Sequence, residues 1–212
     1  MKPTTLNEFI GRLVEIGFVA QSKPIRTVPL GHNLLLVEVG DTGKTSAYIP
    51  EYENSLRHYI DTFDEGKYSL LLHDGSMVFI KYRLKNTKIT WHRFSYLPSI
   101  RDIDVLEGEG VGDLPSPDLY MNTSRKALVR FEYAPEEAGE NHPASHLHVN
   151  IPNCRIPVTS RLGIAEFLHF VVEHFHPRFY EDFQRKVPST PKFHNDLAEQ
   201  DLGRYRIAVP HL

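Results

Sequence analysis

The chain has 212 residues, 41% of them hydrophobic, and a formal net charge of -3. This length favours one domain, with enough apolar side chains for a core that needs no disulfides. The small net charge excludes the strongly basic class of nucleic-acid-binding proteins, although a local basic patch lies between Lys81 and Arg93. The single cysteine, Cys154, excludes an internal disulfide, the N-terminus lacks an apolar leader, and no apolar run approaches the roughly 20 residues of a membrane span. These features predict a cytoplasmic protein without a membrane partner.

The N-terminal part of the sequence predicts one hairpin with a helix before it and a helix after it. Apolar residues recur with the helical period in the first segment, Thr5 and Glu8 have the spacing of a capping box, and Gly17 is a stop signal. The turn that follows the next strand is rich in glycine and polar residues, which is typical of a hairpin. The expected elements are a helix at 6–16, strands at 34–39 and 46–49 joined by a turn at 40–43, and a helix at 51–63.

The remainder predicts a meander, an irregular segment, two alternating strands and a late helix. Turn residues separate the strands of the meander, and the segment that follows it is acidic and rich in glycine and proline. The expected elements are strands at 68–73, 77–84 and 88–96, an irregular surface segment at 99–124 with a short helix near Asp102, strands at 126–133 and 146–151, a helix at 160–175 and a last strand at 205–209.

These elements predict a single α+β domain over 1–212, with a core at about 5–180 and an extended C-terminal tail at 181–212. Consecutive alternating strands without βαβ spacing favour an antiparallel sheet of five or more strands. The N-terminal and late helices are expected to pack on one face of that sheet. One face of the late helix carries Glu166, His169 and Glu173, and this face is expected to be solvated; the alternative is that the three residues form a ligand set.

Three histidines lie within seven residues, and they are the strongest functional signal. In an extended strand His146 and His148 project from the same face, about 7 Å apart, and His142 lies at the entrance of the loop before them. Paired imidazoles can act as general acid and base near neutral pH, or they can bind zinc or manganese. The alternative is a polar strand face that is solvated or packed on a helix.

Charged residues on the preceding strands extend this candidate site. Arg130 and Glu132 share a face with the histidines if the two strands are neighbours, and an arginine there can clamp a phosphate or stabilise an oxyanion. The alternative is a cross-strand ion pair. His92 and Arg93 point to opposite faces of their strand, so at most one of them can join the site.

The sequence predicts no bound metal and no cofactor. His146 and His148 supply two ligands, whereas a stable site needs three or four. Glu132 can supply a third only if its strand is the direct neighbour and in register. The proline after His142 is expected to hold the chain extended and to separate that imidazole from the other two.

Several stretches carry a family resemblance that covers the chain from about Leu34 to Tyr180. The segments are Leu70–Ser76 with Trp91–Pro98, then Arg130–Tyr133, His142–His148 and Cys154–Val158, and finally Phe167–Tyr180. The first pair resembles the first signature of the bacterial domain-of-unknown-function family 2290. The next three resemble its second signature, which is the more specific one, and the last resembles its closing helix.

The resemblance implies a role in anti-phage defence beside a helicase-like partner, since members of that family are found beside helicase genes. A partner of this kind would supply the nucleic-acid affinity that a net charge of -3 does not. The stretch from Arg130 to His148 is also similar to TumE-like toxins, with a different histidine spacing.

Together these observations predict a ribonuclease-like effector that cleaves nucleic acid without metal. In this interpretation His146 and His148 are base and acid, Arg130 stabilises the pentavalent phosphate and His142 orients the substrate. The expected substrate-binding residues are Arg93, Arg155 and Glu132. The alternative is a non-catalytic adaptor or sensor in a defence complex.

Overall fold

The computed structural model describes residues 2–40, 55–99, 128–149 and 154–187, and for 55–58 the backbone alone. Within these ranges the chain forms four α-helices and nine strands. In chain order they are α1 (Pro3–Glu15), β1 (Val19–Ser22), β2 (Ile25–Gly31), β3 (Leu34–Val39), α2 (Ser55–Asp64), β4 (Leu70–Leu72), β5 (Met77–Lys85), β6 (Lys88–Leu97), β7 (Val129–Tyr133), β8 (Ser145–Val149), β9 (Ile156–Pro157), α3 (Ile164–Phe175) and α4 (Tyr180–Lys186).

All nine described strands belong to one sheet, and every described pairing is antiparallel. Most strands follow the order β1-β4-β5-β6-β7-β8-β9, and β3 also pairs with β5, with β2 beyond it. Strand β5 has two neighbours on one edge because its first residues pair with β4 and its last residues pair with β3. The predicted α+β class with an antiparallel sheet of five or more strands is confirmed.

The first and late helices share one hydrophobic core with one face of the sheet. α1 buries Leu6 and Phe9, and α3 buries Phe167 and Val171, in the same cluster as Ile80 and other side chains of the sheet. Side chains alternate along a strand, so the residues between these core positions project from the opposite face. This packing confirms that the N-terminal and late helices lie against one face.

The opposite face is divided into an apolar end and a polar region. Near one end Tyr59 of α2 packs with Met77, Phe79 and Leu97 in a second, smaller apolar cluster. Further along the same strands the same face carries charged side chains, beginning with Lys81. The candidate site lies in this polar region, on the side of the sheet away from α1 and α3.

Several local expectations are wrong. α1 begins at Pro3 with no side-chain cap, so Thr5 lies inside the helix and the predicted capping box does not form. α3 begins at Ile164 rather than at residue 160. The tail was expected to be extended from residue 181 onward, but Tyr180–Lys186 forms a helix that buries Phe183.

The predicted strands at 46–49 and 205–209, the short helix near Asp102 and the end of the strand at 146–151 lie outside the described residues. The strand at 34–39 is present, and its hairpin partner among the described residues is β2, which the sequence did not predict. None of the helices described here is both long and apolar enough to cross a membrane.

Candidate functional site

A line of charged side chains crosses the polar face of the sheet. The register places Lys81, Arg93, Glu132 and His146 opposite one another on four neighbouring strands, and Glu38 precedes them on β3. We call these five residues the polar row. Ion pairs join its members, with Lys81 Nζ at 3.2 Å from Glu38 Oε1 and Arg93 bonded to Glu132.

The two strand histidines face each other at the end of this row. His146 Nε2 lies 2.8 Å from His148 Nε2, and His146 Nδ1 lies 2.7 Å from the carbonyl oxygen of Pro143. A carbonyl oxygen only accepts hydrogen bonds, so Nδ1 of His146 donates and its Nε2 carries a lone pair. His148 Nε2 then donates to His146, and one proton lies between the two rings.

Glu132 lies at the centre of the site and is only 4% exposed. Its Oε1 accepts hydrogen bonds from the Arg93 guanidinium, with Nε at 3.2 Å. Its Oε2 lies 3.6 Å from Arg130 Nε, 3.7 Å from His148 Nε2 and 4.0 Å from His146 Nε2. Both carboxylate oxygens are therefore directed at protein groups, one at an arginine and the other at the imidazoles.

Burial keeps both histidines neutral near pH 7. It lowers the pKa of His146 to about 4, opposed by the Pro143 carbonyl and by Glu132. Burial and, after it, the positive charge of the nearby Arg130 guanidinium lower the pKa of His148 to about 3. Neither ring holds the second proton that an imidazolium acid would donate, whereas a neutral imidazole nitrogen with a lone pair can accept a hydrogen bond from an attacking group or bind a metal.

His142 lies closer to the pair than the sequence predicted. Its ring centroid is 4.7 Å from that of His146, in an edge-to-face arrangement. Reciprocal backbone hydrogen bonds between Gly139 and His142 turn the loop back toward the sheet, which overrides the expected separation by Pro143. The buried Nδ1 of His142 has no hydrogen-bond partner among the described residues.

Arg155 also lies near the histidines, because its positive charge contributes to lowering the pKa of both His146 and His148. Its buried Nε has no hydrogen-bond partner within the described parts of the chain. The structure thus brings together every residue that the sequence assigned to the site, namely His142, His146, His148, Arg93, Arg130, Arg155 and Glu132. Their individual roles remain predictions.

Two other sequence candidates lie in the core. His92 points toward the helices, stacks on Phe94 with ring centroids 4.4 Å apart and accepts a hydrogen bond from Leu162 N. Only Arg93 of that adjacent pair joins the site, as the alternation required. Glu166 and His169 of α3 are 6% and 8% exposed, so the solvated face predicted for them is wrong, since α4 also packs on α3.

The sequence also missed an aromatic residue beside the site. The ring of Trp91 lies close to two guanidinium groups, with Arg83 Cζ at 5.1 Å and Arg93 Cζ at 5.4 Å from its centroid. Arg93 connects this stack to Glu132, so the aromatic surface adjoins the polar row. The signal in the sequence was the basic stretch from Lys81 to Arg93, which pointed to charge but not to stacking.

A second histidine cluster lies where the β4–β5 turn meets the end of α3. Asp74 accepts hydrogen bonds from Ser76 N and Oγ, His176 Nδ1 lies 3.8 Å from Asp74 Oδ2, and His176 Nε2 lies 3.1 Å from Tyr96 Oη. His73 completes the cluster. The Asp74 carboxylate and the His176 ring are thus already bonded to protein groups, and these bonds hold the turn against the end of the helix.

The described residues contain two sets of three side chains whose potential metal-ligand atoms all lie within 4.8 Å of one another. One set is Glu132, His146 and His148, and the other is His73, Asp74 and His176. From the sequence, Glu132 can be a third ligand only if its strand is the direct neighbour of the histidine strand and in register. Both conditions are met, because β7 pairs with β8 and Glu132 lies opposite His146.

Comparison with known proteins identifies the family. Residues 23–209 match the model of the family described as "Uncharacterized conserved protein (DUF2290)". This match spans most of the chain, which therefore belongs to that family. No curated protein matches the chain, and no solved structure does.

Proposed function

We propose that this member of the family cleaves phosphodiester bonds in single-stranded nucleic acid, with RNA as the preferred substrate. In this proposal it is the effector of a cytoplasmic anti-phage system and works with a helicase partner. The catalytic part of this proposal rests on one observation. Side-chain atoms of Glu132, His146 and His148 lie within 4.0 Å of one another, beside the guanidinium of Arg130.

Phosphodiester cleavage needs an activated oxygen and positive charge beside the phosphate. The attacking oxygen forms a bond to phosphorus, the bond to the leaving oxygen breaks, and the proton lost by the first oxygen is passed to the second. In this site the imidazoles of His146 and His148 activate the attacking oxygen. Arg130 and Arg155 stabilise the charge that develops on the phosphate. Arg93 holds Glu132 in position.

The aromatic surface beside the polar row supports a nucleic-acid substrate. Unpaired bases stack on aromatic side chains, and nearby arginines attract the backbone. Trp91 lies close to Arg83 and Arg93, so a base that contacts its ring would place its phosphate close to the site. Stacking requires an unpaired base, which favours a single strand that a helicase would expose.

The adaptor function is the second candidate, and one observation favours it. Val28 and Leu30 on β2 are 42% and 47% exposed, and among the described strands β2 pairs only with β3. Exposed apolar side chains on an edge strand are suited to binding another protein. This surface fits a helicase partner whether or not the chain is catalytic.

The test is cleavage of labelled single-stranded RNA and DNA by the purified protein, alone and with the proposed helicase partner. We expect RNA cleavage by wild type and a loss of about 10²–10⁴-fold in the His146→Ala, His148→Ala double variant. His174→Ala is the matched control, because this histidine is exposed on α3, away from the sheet. Thermal unfolding of each variant separates loss of the site from loss of the fold.

Equal cleavage by the double variant and wild type would exclude this site from the reaction. Absence of cleavage by wild type under both conditions would contradict the catalytic proposal and leave the adaptor function as the better one.

A further inference from the structure

We infer that Glu132, His146 and His148 form a binding site for one divalent transition-metal ion, with zinc as the favoured ion. Two imidazole nitrogens and one carboxylate oxygen are the ligands of many catalytic zinc sites, in which a water molecule takes the fourth position. This inference concerns the same residues as the proposed function, and it depends on that function only for what the ion does.

The distances fit an ion with little rearrangement. The three potential ligand atoms are His146 Nε2, His148 Nε2 and Glu132 Oε2, separated by 2.8, 3.7 and 4.0 Å. Ligand bonds of about 2.0–2.2 Å in a tetrahedron require separations of about 3.3–3.6 Å. The imidazoles would move apart and the carboxylate would approach, each by about half an ångström.

The surroundings already hold each ligand in the orientation that a metal needs. His146 donates from Nδ1 to the Pro143 carbonyl, which directs its Nε2 lone pair into the site. Arg93 bonds Oε1 of Glu132 and leaves Oε2 facing the imidazoles. Carbonyl and arginine partners of this kind fix the ring orientation and the carboxylate geometry in known metal sites.

The position between the imidazoles is held by a proton in the metal-free protein. In the metal-free protein a single proton lies between His146 Nε2 and His148 Nε2, because Nδ1 of His146 is bonded to Pro143. Zinc would take the place of that proton, and the proton would move to Nδ1 of His148, so that both imidazole ligands stay neutral. Glu132 offsets part of the charge of the ion.

If the proposed function holds, the ion supplies the activated oxygen. A zinc-bound water loses its proton near neutral pH and attacks the phosphorus, while Arg130 and Arg155 hold the phosphate. The proton released by the water passes to the leaving oxygen through solvent. This assignment gives the neutral imidazoles the role of ligands and removes the need for an imidazolium acid.

The second cluster provides a control. Asp74 Oδ2 accepts a hydrogen bond from Ser76 Oγ at 2.8 Å, and His176 Nε2 lies 3.1 Å from Tyr96 Oη. His176 would bind an ion through Nδ1, which lies 3.8 Å from Asp74 Oδ2, and that oxygen would have to give up its bond with Ser76 Oγ. We therefore expect zinc at the first cluster and none at His73, Asp74 and His176.

The experiment measures metal in the full chain without nucleic acid. Protein purified without chelator is analysed by inductively coupled plasma mass spectrometry, and metal-free protein is titrated with zinc chloride and with manganese chloride. We expect one zinc per chain, at least a 100-fold weaker zinc affinity in His148→Ala and in Glu132→Ala, and a 10- to 100-fold weaker affinity in Arg93→Met. The control variant His176→Gln should bind zinc as wild type does.

Failure to bind either metal would overturn the inference, as would unchanged affinity in His148→Ala and Glu132→Ala variants whose thermal unfolding shows that they fold. Loss of zinc in His176→Gln alone would overturn it too, because the ion would then belong to the second cluster. RNA cleavage is measured separately, so a protein that binds zinc but leaves RNA intact refutes only the proposed function. Full cleavage by metal-free protein in a chelator keeps the proposed function and contradicts the role of the ion.

Discussion

At the scale of single residues, the position of a histidine along its strand decides what the side chain can do. His92 points into the core, where it stacks on Phe94 and accepts a backbone hydrogen bond from Leu162. His146 and His148 point to the other face of the sheet, where Glu132 and Arg130 are their neighbours. All three rings are buried and have lowered pKa values, but only the second environment includes a carboxylate, that of Glu132.

The buried His92 predicts a loss of stability in acid. Burial lowers its pKa to about 3, whereas in the unfolded chain the pKa is about 6.5. Above pH 6.5 neither state is protonated, but as the pH falls from 6.5 toward 3 the unfolded chain gains a proton that the folded chain does not. The free energy of unfolding therefore decreases over this window, by about 2 kcal/mol at pH 5 from His92 alone.

Urea denaturation at pH 7.5 and pH 5 measures this effect. We expect His92→Gln to reduce the difference between the two free energies of unfolding, because glutamine can accept the bond from Leu162 without titrating. An equal difference in wild type and variant would mean that His92 is protonated in the folded chain.

The residues of the site could be predicted from sequence more easily than their contacts. Alternation in β8 was enough to place His146 and His148 on one face. The contact of Glu132 with both imidazoles depends on the register of β7 against β8, and several registers would satisfy the same apolar pattern. The position of the His142 ring depends on a turned loop that the rule for residues before proline does not describe.

At the scale of elements, the two ends of α1 follow different rules. Pro3 occupies the first turn, where its missing N–H costs nothing, so the helix begins before the predicted cap. At the other end Gly17 has φ of 73°, and Gly17 N and Phe18 N bond the carbonyl oxygens of Val14 and Leu13. This is the Schellman arrangement, in which glycine is favoured because a side chain strains a positive φ.

Two glycines of this region predict opposite effects of the same substitution. Gly11 lies inside α1, is exposed and would meet nothing within 4 Å if it carried a Cβ, so Gly11→Ala should stabilise the protein by about 1 kcal/mol. Gly17 has equal space but a positive φ, so Gly17→Ala should destabilise it by about 1–2 kcal/mol. Urea denaturation of both variants checks the signs, and a shift in the same direction would contradict the account of the helix end.

The hairpins show where local sequence signals were sufficient and where they were not. Asn86 and Thr87 connect β5 to β6 at the turn that the sequence predicted. The β2–β3 hairpin was missed because its turn residues, His32 and Asn33, both adopt positive φ without the Asn-Gly pair that signals such turns. Strand β2 also lacks an alternating apolar pattern, since most of its residues are exposed.

At the scale of the whole molecule, the sheet separates stability from the proposed chemistry. One face binds α1 and α3 through large buried side chains such as Phe94 and Phe167. The other face holds the polar row and the Trp91 stack, which contribute little to that core. Substitutions on the two faces should therefore have different consequences.

Two aromatic residues, one on each side of the sheet, should respond differently to substitution by alanine. Trp91→Ala should weaken binding of single-stranded RNA by about 10- to 100-fold, because it removes one stacking platform. Phe167→Ala should instead lower the free energy of unfolding by about 3–5 kcal/mol. Fluorescence anisotropy with labelled RNA and urea denaturation measure the two quantities, and unchanged RNA affinity in Trp91→Ala would exclude this surface as the binding platform.

A phage challenge tests the proposed defence role in cells that carry this protein together with the gene of the proposed helicase partner. The His146→Ala, His148→Ala protein should lose protection against phage while still binding the helicase, because four strands of the sheet lie between β8, which carries the histidines, and β2. The Val28→Asp, Leu30→Asp protein should also lose protection, but it should retain metal and cleave RNA in the test tube, since a charged edge strand repels an apolar partner without reaching the site. Phage titres and co-purification of the helicase distinguish the two failures. If the histidine variant protects cells as well as wild type does, the imidazoles serve the structure, and the chain contributes to defence as an adaptor through its exposed edge.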